Sequence, residues 1–212
     1  MAIGRTWRCI PLKKKSIVVL VCLAAVLLLL TMFIIDSRSG DNKQPLLVEG
    51  QGVAITVERF HSYKANAELA ATVSDFAVPS DEEILDELTA TELSVAYARD
   101  KGLTATKEEI DSVIANERAA LMDADSENGL AAELMQRRID KTGLTEEAFW
   151  SSEETRANYE RAVLLGELAA LLIDEGSIGD YFEFGNFQRE LLERRRDNIR
   201  TDWSLLENDK TY

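Results

Sequence analysis

Hydrophobic and polar positions divide the chain into one uninterrupted apolar run and a long region of shorter, periodic apolar patterns. The run is Ser16–Ile35, which contains no charged residue, no Pro and no Gly. A helix of about twenty apolar residues is long enough to cross a hydrocarbon core of roughly 30 Å. All charged residues within 1–15 are basic, which favours a cytoplasmic N terminus. We therefore predict a basic cytoplasmic segment 1–15, a transmembrane anchor 16–35 and an extracytoplasmic remainder in a single-pass cell-membrane protein.

The competing interpretation of this run is a cleaved secretory signal peptide. The apolar core of a signal peptide is roughly 7–15 residues long and precedes a cleavage site of small residues. Here the apolar run continues through Thr31–Ile35, and the following Asp36–Gly40 is a poor cleavage site. These features favour a retained anchor.

The pattern after the run predicts a polar tether at 36–45 and then one domain at 46–212. Two β-branched runs, Leu46–Val48 and Val53–Ile55, flank a Gly-containing turn and predict a β-hairpin. Apolar residues at helical spacing then predict about six helices. The fold class is therefore mainly α: a single transmembrane helix followed by an α-helical domain with a small N-terminal β-hairpin.

Helix boundaries are indicated by Ser/Thr-x-x-Glu capping boxes, which begin at Ser80, Thr106 and Ser151. The helix after the third box, Thr155–Asp174, has the widest apolar stripe outside 16–35 and is predicted to be the core helix. A final long helix is predicted from about residue 186 to residue 206.

The charge of the chain limits the kinds of partner, and its cysteine content limits how the domain can be stabilised. The formal charge of the chain is −14, and setting aside the five basic residues of 1–15 leaves −19 on the remainder. Such an acidic domain repels nucleic acid. Both cysteines, Cys9 and Cys22, precede or lie within the apolar run, so the predicted exported domain has no disulfide and depends on a packed core.

Catalytic and metal-binding patterns are sparse. The one histidine, His61, adjoins Ser62 on a predicted helix and has no nucleophile elbow beside it. The alternating acids of Asp123–Gly129 depart from the calcium-loop pattern. We therefore expect a protein that is not an enzyme and that uses no cofactor or metal.

Aromatic residues in the predicted connectors between helices are the best candidates for a binding surface. Most aromatic residues of a domain belong to its core, but connector residues are better placed to form an exposed apolar groove. The candidate substrate-binding residues are Phe149, Trp150, Tyr181, Phe182 and Phe184.

Three segments in this order resemble the N-terminal domains of SurA- and PrsA-like extracytoplasmic chaperones. The resemblance covers about residues 46–175, and its motifs are Val53–Phe60, Ile84–Ile110 and Gly143–Trp150. It implies that the domain shelters unfolded, exported polypeptides as a holdase or foldase, with the final helix completing the domain. The segment after Asp174 is too short for the parvulin domain that many members carry, so prolyl isomerase activity is not expected. The alternative is an envelope scaffold that binds one folded partner.

Overall fold

The structure, a computed structural model, describes residues 45–73, 77–122 and 129–209. Three antiparallel strands form one small sheet in the order β2-β1-β3, where β1 is Leu46–Gly50, β2 is Val53–Thr56 and β3 is Arg200–Thr201. The helices are α1 (Val57–Val73), α2 (Asp81–Asp100), α3 (Lys107–Met122), α4 (Gly129–Thr142), α5 (Glu146–Ser151), α6 (Glu153–Asp174), α7 (Phe184–Arg195) and α8 (Ser204–Asp209).

The predicted hairpin is confirmed, and its turn shows why glycine is required there. Gly50, Gln51 and Gly52 all have positive φ angles, of 132°, 54° and 82°. A Cβ atom on Gly50 would lie 2.4 Å from the backbone oxygen of Asn198. Because glycine has no Cβ, the C-terminal segment can approach the hairpin this closely.

Two of the three predicted capping boxes are confirmed. The Ser80 hydroxyl accepts a hydrogen bond from the Glu83 amide, and the Glu83 carboxylate accepts one from the Ser80 amide. The second box has the same reciprocal bonds between Thr106 and Glu109. The third prediction is wrong by one residue, because Ser152 is the N-cap and accepts from an amide in the first turn of α6.

The predicted final helix is also wrong, because the chain leaves the helix at Arg195. A 3₁₀ turn (Arg196–Asn198) follows α7, and Ile199 is extended. The chain then forms β3, which pairs with β1 through Val48 opposite Thr201 and Glu49 opposite Arg200. The C-terminal segment therefore completes the sheet that the N-terminal hairpin begins.

Helix α2 lies at the centre of the domain. It packs against α1, α6, α7 and β2, so the predicted core helix α6 shares that role with it. One apolar cluster joins the sheet to α1, α2, α7 and α8, and a second joins the C-terminal halves of α2 and α6 to Phe184. A third cluster lies between α3, α4, α5 and α6.

The predicted fold class is corrected in two respects. Among residues 45–73, 77–122 and 129–209, no helix combines the length and apolar character needed to cross a bilayer. The hairpin is also part of a three-stranded sheet, whose third strand the sequence pattern did not predict. The predicted anchor at 16–35, nearly all of the tether, and the acids of 123–128 lie outside the described residues.

Candidate functional site

The five candidate aromatic residues do not form one exposed surface. Phe149 and Trp150 lie on α5, are 0% and 4% exposed, and pack edge to face with ring centroids 5.2 Å apart. Phe184, the first residue of α7, is also buried. These three side chains stabilise the core, so the expectation that they line an exposed groove is wrong.

Tyr181 and Phe182 are the two candidates that reach solvent. They belong to a 3₁₀ turn (Tyr181–Glu183) between α6 and α7. Phe182 is 87% exposed and Tyr181 is 38% exposed. We name these two residues the aromatic turn.

Side-chain hydrogen bonds fix the backbone of the aromatic turn. The Asp180 carboxylate accepts from the amides of Phe182 at 2.8 Å and Glu183 at 3.2 Å. The Glu183 carboxylate accepts from the Gly179 amide at 2.6 Å. Short polar side chains that bond their own backbone are a common means of setting turn geometry. The Phe182 ring is therefore exposed by a backbone that is held in place.

Aromatic side chains beneath the turn connect it to the core. Phe184 stacks on Phe187 with centroids 6.0 Å apart, and Phe187 lies 5.7 Å from Tyr97 of α2. The ammonium group of Lys101 lies 5.6 Å from the centre of the Tyr97 ring and 3.4 Å from the Glu175 carboxylate. The turn is thus anchored at the end of α2.

The other exposed large apolar side chains in the described residues lie in separate segments of the chain. They are Leu46, Val78, Leu130, Leu144 and Trp203. A small open pocket of about 200 Å³ lies at the sheet, lined by Leu46, Glu49, Arg200 and Asp202. The pocket lies where the chain pairs with β1 after α7, whereas the aromatic turn precedes α7.

Buried charges form a second feature, which the sequence analysis did not identify. Glu92 of α2 accepts a hydrogen bond from Arg59 of α1, and its carboxylate lies 3.3 Å from Nε of Arg161 on α6. The Glu92 and Arg59 side chains are each 11% exposed. Burial and the like charge of Arg161 lower the pKa of Arg59 to about 9. This ion-pair network joins three helices in the interior.

A second group of buried polar side chains joins α3, α4 and α6. Burial raises the pKa of Glu117. Burial also lowers the pKa of Arg138 to about 10, against the opposing effect of the Glu117 carboxylate. Burial, followed by the negative charge of Glu117, raises the pKa of the Tyr159 hydroxyl. Since the charges of Glu117 and Arg138 balance, this group is suited to holding helices in register.

The sequence does contain a signal for these charges. Glu92 follows Leu88 by four residues, Glu117 follows Ile114 by three, and Arg138 follows Leu134 by four. Residues three or four apart share a helix face, so these charged residues occupy the apolar stripes of their helices. A charge in such a register predicts a buried partner.

The remaining candidates for catalytic or metal-binding chemistry are His61 and the acidic side chains. His61 is exposed on α1, and its ring packs edge to face on Phe60 at 5.5 Å. No three His, Cys, Asp or Glu side chains converge as metal ligands in the part that the structure describes. The aromatic turn, which combines an exposed ring with a hydrogen-bonded backbone, is the candidate binding site.

Comparison of the chain with protein-family models, curated proteins and solved structures gives no significant match.

Proposed function

We propose that this chain is a non-enzymatic, chaperone-like protein that binds extended apolar segments of unfolded polypeptides through the aromatic turn. The observation that carries the proposal is the Phe182 ring, which is 87% exposed on a backbone fixed by Asp180. Aromatic side chains are frequent anchors at binding surfaces. A turn that is already ordered loses little conformational entropy when it binds.

The order of elements is a second support. A hairpin, a helix and a capped helix pair come in the sequence order expected of SurA- and PrsA-like domains. The C-terminal segment then returns to pair with the hairpin. For the same reason we propose an extracytoplasmic location, with exported polypeptides as the clients.

The test is suppression of aggregation of a chemically unfolded client by the full-length chain, followed by light scattering. Phe182→Ser should weaken protection, because loss of an aromatic anchor costs about 1 kcal/mol or more, or about fivefold in affinity. Trp203→Ser is the matched control, because Trp203 is an exposed aromatic residue in the segment that follows β3 and should be dispensable. Unchanged protection by Phe182→Ser, with an unaltered circular dichroism spectrum, would refute the proposal.

A second candidate function is a scaffold that binds one folded partner. The burial of Phe149, Trp150 and Phe184 favours it, because the aromatic turn is then a small contact rather than a long apolar wall. Crosslinking in cells distinguishes the two functions. Many unrelated polypeptides crosslinked at position 182 support the chaperone, whereas one stoichiometric partner supports the scaffold.

A further inference from the structure

The aromatic turn is surrounded by acidic side chains. Residues 174–185 contain four acids and no basic residue. All four side chains are exposed: Asp174, Glu175, Asp180 and Glu183. Lys101, which directly follows α2, contacts this segment by pairing with Glu175 at 3.4 Å. The segment that carries the exposed Phe182 ring therefore has a net negative charge.

Some of these four acidic side chains stabilise the fold, but not all of them do. Asp180 and Glu183 accept backbone hydrogen bonds, and Glu175 pairs with Lys101. Asp174, by contrast, is the last residue of α6, where a negative charge opposes the helix dipole. It makes no ion pair or side-chain hydrogen bond within the described residues, and α6 has no basic residue in its last turn. The position is thus electrostatically unfavourable for the isolated chain.

We propose that the aromatic turn selects polypeptide segments in which Lys or Arg stands next to an apolar side chain. The inference rests on the proposed function and specifies its ligand. The apolar side chain of the ligand covers the Phe182 ring, and an Arg or Lys lies against the ring face of Phe182 or Tyr181. The cationic group then pairs with Asp174, while the negative surface repels acidic segments.

Direct binding to three labelled peptides, measured by fluorescence anisotropy with the full-length chain, tests this selectivity. The first peptide alternates Leu with Lys, the second alternates Leu with Glu, and the third alternates Ser with Lys. The first should bind most tightly, and its advantage over the second should disappear in about 1 M salt, where the Debye length is about 3 Å. Equal binding of the Leu-Lys and Leu-Glu peptides would overturn the inference.

Two charge variants locate the effect. Asp174→Asn should weaken binding of the Leu-Lys peptide about two- to fivefold, the range for loss of an exposed ion pair. It should leave the Leu-Glu peptide unchanged or bound more tightly. Glu207→Gln removes the same charge from an exposed position on α8 and is the matched control. An equal effect of both variants would show that only the net charge of the chain matters, and would overturn the proposed pairing of the ligand with Asp174.

The outcomes separate this inference from the proposed function. Loss of client protection in Phe182→Ser, together with no effect of Asp174→Asn on any peptide, retains the chaperone function and rejects the charge selectivity. Unchanged protection in Phe182→Ser rejects the proposed function itself. In that case the peptide measurements still decide the inference. If the chain binds the Leu-Lys peptide selectively and Phe182→Ser abolishes this binding, a basic-segment ligand is supported.

Discussion

Removing the charge of Glu92 should destabilise the domain strongly, because the buried Arg59 and the half-buried Arg161 both pair with its carboxylate. Glu92→Gln keeps the shape of the side chain and leaves Arg59 and Arg161 without their shared counter-charge. At the 3.3 Å separation of Glu92 and Arg161, a charge pair has a Coulomb energy of about 5 kcal/mol at an effective dielectric constant of 20. Desolvation offsets part of this, and breaking buried pairs costs about 3–5 kcal/mol in other proteins. We expect Glu92→Gln to lower the free energy of unfolding by about 3 kcal/mol.

The assay is urea unfolding of the full-length chain followed by circular dichroism. A loss of about 3 kcal/mol is a large part of the 5–15 kcal/mol typical of native proteins, so the midpoint should fall markedly. Glu133→Gln is the control, because it removes an exposed ion pair with Arg137 on α4. Its cost should be about 0.5 kcal/mol or less.

A double-mutant cycle separates the ion pair from other effects of substitution. Arg59→Met alone removes one of the two charges that need Glu92, and Arg59→Met with Glu92→Gln removes the Arg59–Glu92 pair. In the double variant Arg161 keeps Glu160 and Glu154 as charged neighbours. The double variant should therefore be more stable than the sum of the single effects predicts, by about 1 kcal/mol or more. A Glu92→Gln cost no larger than that of Glu133→Gln, or strict additivity in the cycle, refutes the reasoning.

Two further predictions concern the backbone and the helix caps. Gly50→Ala should destabilise the domain by about 1–3 kcal/mol more than Gly102→Ala in the same urea assay. Both glycines have positive φ, but a Cβ meets the Asn198 oxygen at 2.4 Å only at Gly50, and equal costs would contradict the close approach. Hydrogen bonds from the Thr106 amide and then its hydroxyl lower the pKa of Glu109 below 4.5, so this stabilisation is present above pH 4.5 and is lost as pH falls through the folded-state pKa. Glu109→Gln, which caps without titrating, should lose less stability between pH 6 and pH 3 than the parent chain; an identical acid profile would show that this cap does not contribute.

The aromatic turn shows how far the sequence predicts the candidate site. Pattern alone placed Tyr181 and Phe182 in a connector, and the structure places them in an exposed turn. The same reasoning failed for Phe149, Trp150 and Phe184, although all five are aromatic residues between long helices. Exposure depends on which elements cover a side chain. Phe149 and Trp150 are buried in a cluster with residues of α3, α4 and α6, and only tertiary packing brings these helices together around them.

Local chemistry in the sequence determined the hairpin, most helix starts and the turn that requires glycine. These features depend on residues within a few positions of one another, such as the reciprocal bonds of Ser80 with Glu83. Tertiary structure alone decided the C-terminal strand and the partners of the buried charges. Arg200 and Thr201 become a strand because β1 offers an unpaired edge more than 140 positions earlier, and Glu92 is paired because folding brings α1 and α6 to α2. Neither contact leaves a local pattern that specifies its partner, since the energy of each comes from elements that are distant in sequence.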